Sequence, residues 1–200
     1  MVDPGTKHIG ILLFEDVEEL DAVGPYEVLA YWTKNFPGDG WDVLTLSRDG
    51  GLVRGAKGLA IDAQASYATM PDLEVLIYPG GQGTRAHLVD ESQLEWVRRQ
   101  REHVAIMTSV CTGALVYAAA GLLQDRPATT HWASLGRLRQ LDSSIDVREG
   151  ERFVDDGDVV TAAGVSAGID MALHLVDRLA GTARAREVKR GIEYEPAPPV

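Results

Sequence analysis

The chain has 200 residues, 45% of them apolar and 24% charged, a balance that supports a globular protein with a buried core. This excludes a disordered chain, a collagen-like repeat and a coiled coil. Nineteen basic residues against thirty acidic ones give a net charge of -11. Such a surface repels phosphate backbones and anionic membrane leaflets, so neither nucleic acid nor a membrane is expected as a partner.

The N-terminal MVDPGTKHIG lacks a basic segment followed by a long apolar one, so no signal peptide is expected. No apolar run approaches the ~20 residues needed to span a bilayer. Cys111 is the single cysteine, so no disulfide can form within the chain. These features lead us to expect a cytoplasmic protein folded as one domain over residues 1–200.

The elements alternate in type. Residues 8–14 (HIGILLF) form a nearly continuous apolar run, the pattern of a strand buried on both faces. The acidic stretch EDVEELD follows. Gly24-Pro25 marks a helix start, and Tyr26, Leu29, Ala30 and Tyr31 supply its apolar stripe to about Asn35. Residues 41–46 read as the second strand, and the glycine-rich residues 48–66 as a small hairpin. Residues 74–78 (EVLIY) are a buried strand running into Pro79-Gly80-Gly81. Residues 92–102 look like an exposed amphipathic helix, and residues 105–110 like a strand ending at Cys111. Residues 112–120 are apolar nearly all round, which predicts a buried helix closed by Gly121.

A helix is expected over 131–141, following a short strand. A strand pair is expected over 153–163, turning at Asp156-Gly157. Helices over 166–179 and 182–190 come next, then an extended tail from Tyr194 to Val200. Such alternation predicts an α/β three-layer sandwich, with a mostly parallel central sheet and helices on both faces. Ligands of such sheets bind beyond the carboxyl ends of the strands. The residues after Phe14, Tyr78 and Val110 are therefore the candidate site.

Cys111 lies in Ser109-Val110-Cys111-Thr112-Gly113, a strand-to-helix junction with small residues on both sides. This is the arrangement of a nucleophile elbow, a sharp turn that leaves the side chain exposed at the sheet edge. A helix beginning at Thr112 would aim free N–H groups at the sulfur and favour thiolate over thiol. The alternative is an inert buried cysteine. Gly80 and Gly81 have no side chains, so their N–H groups can approach a reacting centre; a plain turn is the alternative. Five carboxylates follow the first strand, Glu15, Asp16, Glu18, Glu19 and Asp21, and their residue types alone do not separate them.

The stretches IGILLFEDVEELDAVGPYEVL, YPGGQG, TSVCTGALVYAAAGLL, RPATTHWA, TAAGVSAGIDMALHLV and IEYEPAPP resemble the ThiJ/PfpI superfamily. Within it they most resemble the isocyanide hydratases, and they span residues 9 to 199. The resemblance implies a flavodoxin-like fold akin to the class I glutamine amidotransferases. It implies water addition to an isocyanide through a covalent cysteine thioimidate, without cofactor or metal. Cys111 would be the nucleophile, and Asp21, in the loop after the first strand, the general acid and base. The other four carboxylates are then assigned mostly to solvent.

The resemblance also gives the Gly80–Gly81 loop and the Thr112 N–H an anion-stabilising role. Thr112 Oγ1 would bond the sulfur or the substrate. His131, in Thr-Thr-His-Trp, stands where the superfamily often carries the histidine of a Cys-His pair; a packed or helix-capping histidine is the alternative. PfpI-type peptidases have histidine directly after the cysteine, and Thr112 stands there in this chain. Val165 is expected either at the pocket or in the core. The expected partners are a small-molecule substrate and a second copy of the chain, as a homodimer. Two rival readings are a cysteine-based redox or ligand sensor and a glyoxalase-like carbonyl enzyme.

Overall fold

The computed structural model describes residues 5–196. Its strands are β1 (Lys7–Leu12), β2 (Trp41–Ser47), β3 (Gly51–Arg54), β4 (Ala60–Ala63), β5 (Ala65–Ser66), β6 (Val75–Tyr78), β7 (Ile106–Val110), β8 (Pro127–Ala128), β9 (Asp146–Val147), β10 (Phe153–Asp155) and β11 (Val159–Ala162). Its α-helices are α1 (Glu19–Asn35), α2 (Thr84–His87), α3 (Glu91–His103), α4 (Gly113–Ala119), α5 (Leu135–Leu141), α6 (Ala167–Ala180) and α7 (Thr182–Gly191). None of these helices is long and apolar enough to cross a membrane.

The main sheet has seven strands in the order β5-β2-β1-β6-β7-β11-β10. All pairs are parallel except β10 with β11. Helices α1, α6 and α7 pack together on one face, and α2 to α5 form the other layer. The expected sandwich with helices on both faces is therefore what the chain builds. Both faces of the central strands are covered: every residue of β6 and β7 is buried, including the polar Thr108 and Ser109.

Strand order reverses between β1 and β6. The connection from β1 leads one way along the sheet to β2, and the connection from β6 leads the other way to β7. Backbone loops part at such a switch point and leave a crevice at the carboxyl ends of the strands. The end of β1, the Pro79-Gly80-Gly81 turn after β6 and Cys111 after β7 all meet there.

Several boundaries differ from the sequence reading. Helix α1 begins at Glu19, six residues before Pro25 and not at it, so Pro25 lies inside the helix. Proline cannot donate to the carbonyl four residues back, which weakens a helix interior. Here tertiary packing outweighs that loss: a Cβ on Gly168 of α6 would stand 3.0 Å from Pro25 Cγ, so the ring fills the α1–α6 contact. The two acids of the first turn, Glu19 and Asp21, also suit the positive end of the helix dipole.

The segment expected as one helix over 131–141 starts instead as a 3₁₀ turn over Trp132–Ser134, and α5 follows it. The glycine-rich hairpin forms as β3 and β4, paired from Gly51↔Ala63 to Arg54↔Ala60. The β10–β11 hairpin also forms. The expected extended tail lacks regular structure over 194–196, and its last four residues lie outside the described range.

Candidate functional site at the switch point

Cys111 takes φ +56° at the end of β7. A left-handed backbone is disfavoured for any residue with a Cβ. Hydrogen bonds on both sides of the residue hold it there. Its N–H donates to Ala162 O (3.1 Å) and Ala163 O (2.9 Å), and its carbonyl accepts from Thr130 Oγ1 (2.6 Å). The turn is tight enough to require glycine two residues on. A Cβ at Gly113 would lie 2.1 Å from Tyr78 O, the last carbonyl of β6. The chain thus reverses into α4 with the sulfur at the mouth of the crevice, although Cys111 itself is only 7% exposed.

Asp21 lies in the first turn of α1, not in the loop where it was expected, because the helix starts earlier. It is fully buried. The helix start is tied to the β6 turn by a Val17–Gly81 bridge and by Glu18 N–H donating to Gly80 O (2.9 Å). Gly80 N–H in turn donates to Asp21 Oδ2 (2.9 Å). Oδ1 is buried without a conventional hydrogen-bond partner. The Cys111 thiol lies against this carboxyl, and the proton on each group feels the other.

Burial dominates the electrostatics. Desolvation pushes the Asp21 carboxyl up to about 7, assisted by the Glu18 charge and opposed chiefly by the Gly80 N–H. Desolvation also pushes the Cys111 thiol up to about 12, and the Asp21 charge adds to the rise. The Thr112 and Val165 N–H groups pull the thiol the other way without overcoming burial. The expectation of a resting thiolate is therefore corrected. Helix α4 has only seven residues, and its N-terminal field does not offset loss of solvent plus an adjacent carboxylate. Near neutral pH the pair holds at least one proton, which belongs to both groups.

The two glycine N–H groups are not free. That of Gly80 holds Asp21, and that of Gly81 donates to Thr112 Oγ1 (3.0 Å). Thr84 Oγ1 also donates to Thr112 Oγ1 (3.1 Å) and reaches Gly81 O (2.8 Å). Thr112 Oγ1 is thus committed to the turn that positions Asp21, rather than to the sulfur. Thr112→Val would leave the Gly81 N–H without its acceptor. We expect a stability loss of about 1–3 kcal/mol in denaturant titration, with Thr112→Ser retaining most of the wild-type stability.

The donors that reach the sulfur are the backbone N–H groups of Thr112 and Val165. Val165 has φ +49°, a genuine outlier for a β-branched residue. It lies just before α6, after Gly164. A Cβ on Gly164 would stand 2.2 Å from His131 Cδ2, so glycine and the imidazole occupy one contact. His131 caps the 3₁₀ turn by accepting from Ala133 N–H (3.3 Å). It also lines the cavity that contains Cys111.

That cavity has a volume of about 450 Å³ and is walled by Cys111, Thr112, Gly81, His131 and Val165. Glu18, Lys57, Gln82 and Arg85 also line it, and none of them was anticipated there. Lys57 comes from the β3–β4 turn, which folds over the start of α1. Its ammonium pairs with Glu18, and its N–H donates to Glu19 Oε1 (2.6 Å). Glu18 and Glu19, expected in solvent, have side chains only 19% and 12% exposed. No local motif marks Lys57, because the hairpin that carries it is a separate two-stranded sheet, distant in sequence from the start of α1. Among the described residues, no group of three or more His, Cys, Asp or Glu is placed to hold a metal ion.

Comparisons with known proteins bear on the same residues. The DJ-1/PfpI family pattern matches residues 7–178. An isonitrile hydratase of Pseudomonas putida is 41% identical over 191 residues, covering 96% of this chain and 80% of that protein. The HTH-type transcriptional regulator CdhR of Pseudomonas aeruginosa is 30% identical over 149 residues, which is 74% of this chain and 43% of the regulator. A ThiJ/PfpI family protein from Pseudomonas syringae superposes with a TM-score of 0.85 at 32% identity, over 98% of this chain and 78% of that one. Drosophila melanogaster DJ-1beta superposes at 0.82 with 21% identity, covering 95% of this chain and 99% of its own, a likeness of fold alone. The family pattern spans both the Asp21 and the Cys111 segments, and the chain belongs to the DJ-1/PfpI family.

Proposed function

We propose that the protein is a hydratase that adds water to an isocyanide, R–NC, to give the formamide R–NH–CHO, without metal or organic cofactor. The observation that carries this reading is the buried Asp21 carboxyl beside the Cys111 thiol, which itself lines the cavity. The identity to an isonitrile hydratase over 96% of the chain supports it. The terminal carbon of an isocyanide accepts a nucleophile and a proton on the same atom. A thiol and a carboxyl sharing a proton supply both.

The thiol proton passes to the Asp21 carboxylate as Sγ bonds to that carbon, and Asp21 then protonates the carbon. The product of this step is a thioimidate, R–N=CH–S–Cys111. Asp21, again a carboxylate, takes a proton from water while the hydroxide adds to the same carbon, and this proton goes to nitrogen. The tetrahedral species collapses: the C–S bond breaks, the carbonyl forms, and the hydroxyl proton returns to the Asp21–Cys111 pair. The Thr112 and Val165 N–H groups stabilise the sulfur while it is anionic. Gly80 and Gly81 act one step back, holding Asp21 and Thr112.

A redox sensor is less well supported, because a buried thiol pushed up to about 12 carries little thiolate to oxidise. Incubation of the purified protein with cyclohexyl isocyanide, followed by NMR, tests the proposal. N-cyclohexylformamide is expected. Absence of a formamide from this and from every aryl isocyanide offered, or turnover of methylglyoxal in their place, would overturn it.

A further inference from the structure

The cavity above Cys111 carries two cations in different electrostatic states. Lys57 is paired with Glu18 and lies 3.8 Å from Glu19 Oε2. Arg85, on α2, lines the same cavity and is exposed at its rim. Among the described residues its guanidinium has no ion pair and no side-chain hydrogen bond, although Glu18, Glu19 and Asp21 all stand in or beside the cavity. The Gln82 side-chain amide, three residues earlier on the same rim, is likewise without a partner among them. The charges that bear most on Asp21 are those of Glu18 and Lys57.

A substrate that bonds to Sγ through one end and fills this cavity therefore presents its other end to an unneutralised guanidinium and a free carboxamide. Arg85 offers a planar fork that matches a carboxylate in two parallel hydrogen bonds, and Gln82 can donate a third. A neutral R group would leave that fork idle. We infer that the substrate is an acidic isocyanide, whose R group ends in a carboxylate held by Arg85 and Gln82 while its isocyano carbon meets Cys111. The inference rests on the hydratase reading and names its substrate class. The product is a formamide bearing the same carboxylate.

The test compares 4-isocyanobenzoate with 4-isocyanobenzamide, which match in shape and differ in charge. The wild-type protein is expected to show a kcat/KM at least roughly tenfold higher for the acid, the scale of one charge-assisted bidentate contact. The preference should weaken at high salt. In Arg85→Gln the acid-to-amide ratio should fall towards one, chiefly through KM for the acid. Arg85→Lys should keep part of it, as a point charge without the fork. If the amide is hydrated as well as the acid, or if Arg85→Gln leaves the ratio unchanged, the acidic-substrate inference is wrong while the hydratase reading stands. If neither compound yields a formamide, the hydratase reading falls. Calorimetric binding of 4-formamidobenzoate against 4-formamidobenzamide then decides the anion preference, and equal affinities overturn it.

Discussion

Cys111→Ala is expected to reduce formamide production to background, a loss of about 10⁴-fold or more, because Cys111 is the single cysteine of the chain and its sulfur, beside Asp21, is the group that bonds to carbon. Circular dichroism should show the fold intact. A comparison with Cys111→Gly separates catalysis from strain. Both variants remove the sulfur, but only alanine keeps a Cβ at φ +56°. Glycine adopts that conformation freely, so Cys111→Gly should be more stable than Cys111→Ala by about 1–2 kcal/mol. At this size that difference corresponds to several degrees in Tm. Equal melting temperatures would mean that the left-handed turn stores no strain. Residual formamide in both variants would remove the sulfur from the mechanism.

Asp21→Asn should lower kcat/KM by about 10²–10⁴-fold, the usual contribution of a positioned proton-transfer group. It should also change the pH profile. In the wild type the active form needs a base for the thiol proton, and that base is the Asp21 carboxylate. As pH falls below about 7 the carboxyl takes up a proton and the pair has no acceptor left, so kcat/KM falls on the acid side. The asparagine variant should lack that limb.

Stability should move in the opposite sense to activity. Asp21 has its folded-state pKa raised from 3.8 to about 7, so the unfolded chain releases this proton first. Between about pH 4 and 7 the group therefore makes the folded state progressively less stable as pH rises, by up to about 4 kcal/mol. A neutral amide at this position carries no such penalty. Asp21→Asn should raise Tm by roughly 10 °C at pH 8 and change it little at pH 4. A Tm gain equal at both pH values would show that the carboxylate charge is not what destabilises this position.

The strands were legible because they are buried on both faces, and continuous apolar runs such as HIGILLF and EVLIY have few other uses. The Cys111 turn was legible for a related reason: small residues flank a side chain between two apolar elements. Helix α1 was misplaced because Pro25 is a strong local start signal, and only the packing of its ring on Gly168 of α6 offsets the missing hydrogen bond. Glu18 and Glu19 read as solvated acids because nothing nearby in sequence neutralises them. Lys57 reaches them from the β3–β4 turn about 40 residues later.

Local order and alternation of residue types sufficed to determine a parallel sheet between helical layers, with Cys111 where a strand meets a helix. These are consequences of burial pattern and turn chemistry, which act over a few neighbouring residues. The protonation state of the sulfur, the commitment of the Gly80 and Gly81 N–H groups, the strained Val165 and the unneutralised Arg85 were decided only by the tertiary structure. Desolvation and charge depend on what surrounds a group in space, and here the surroundings come from α1, the β3–β4 turn, α2 and the start of α6 together.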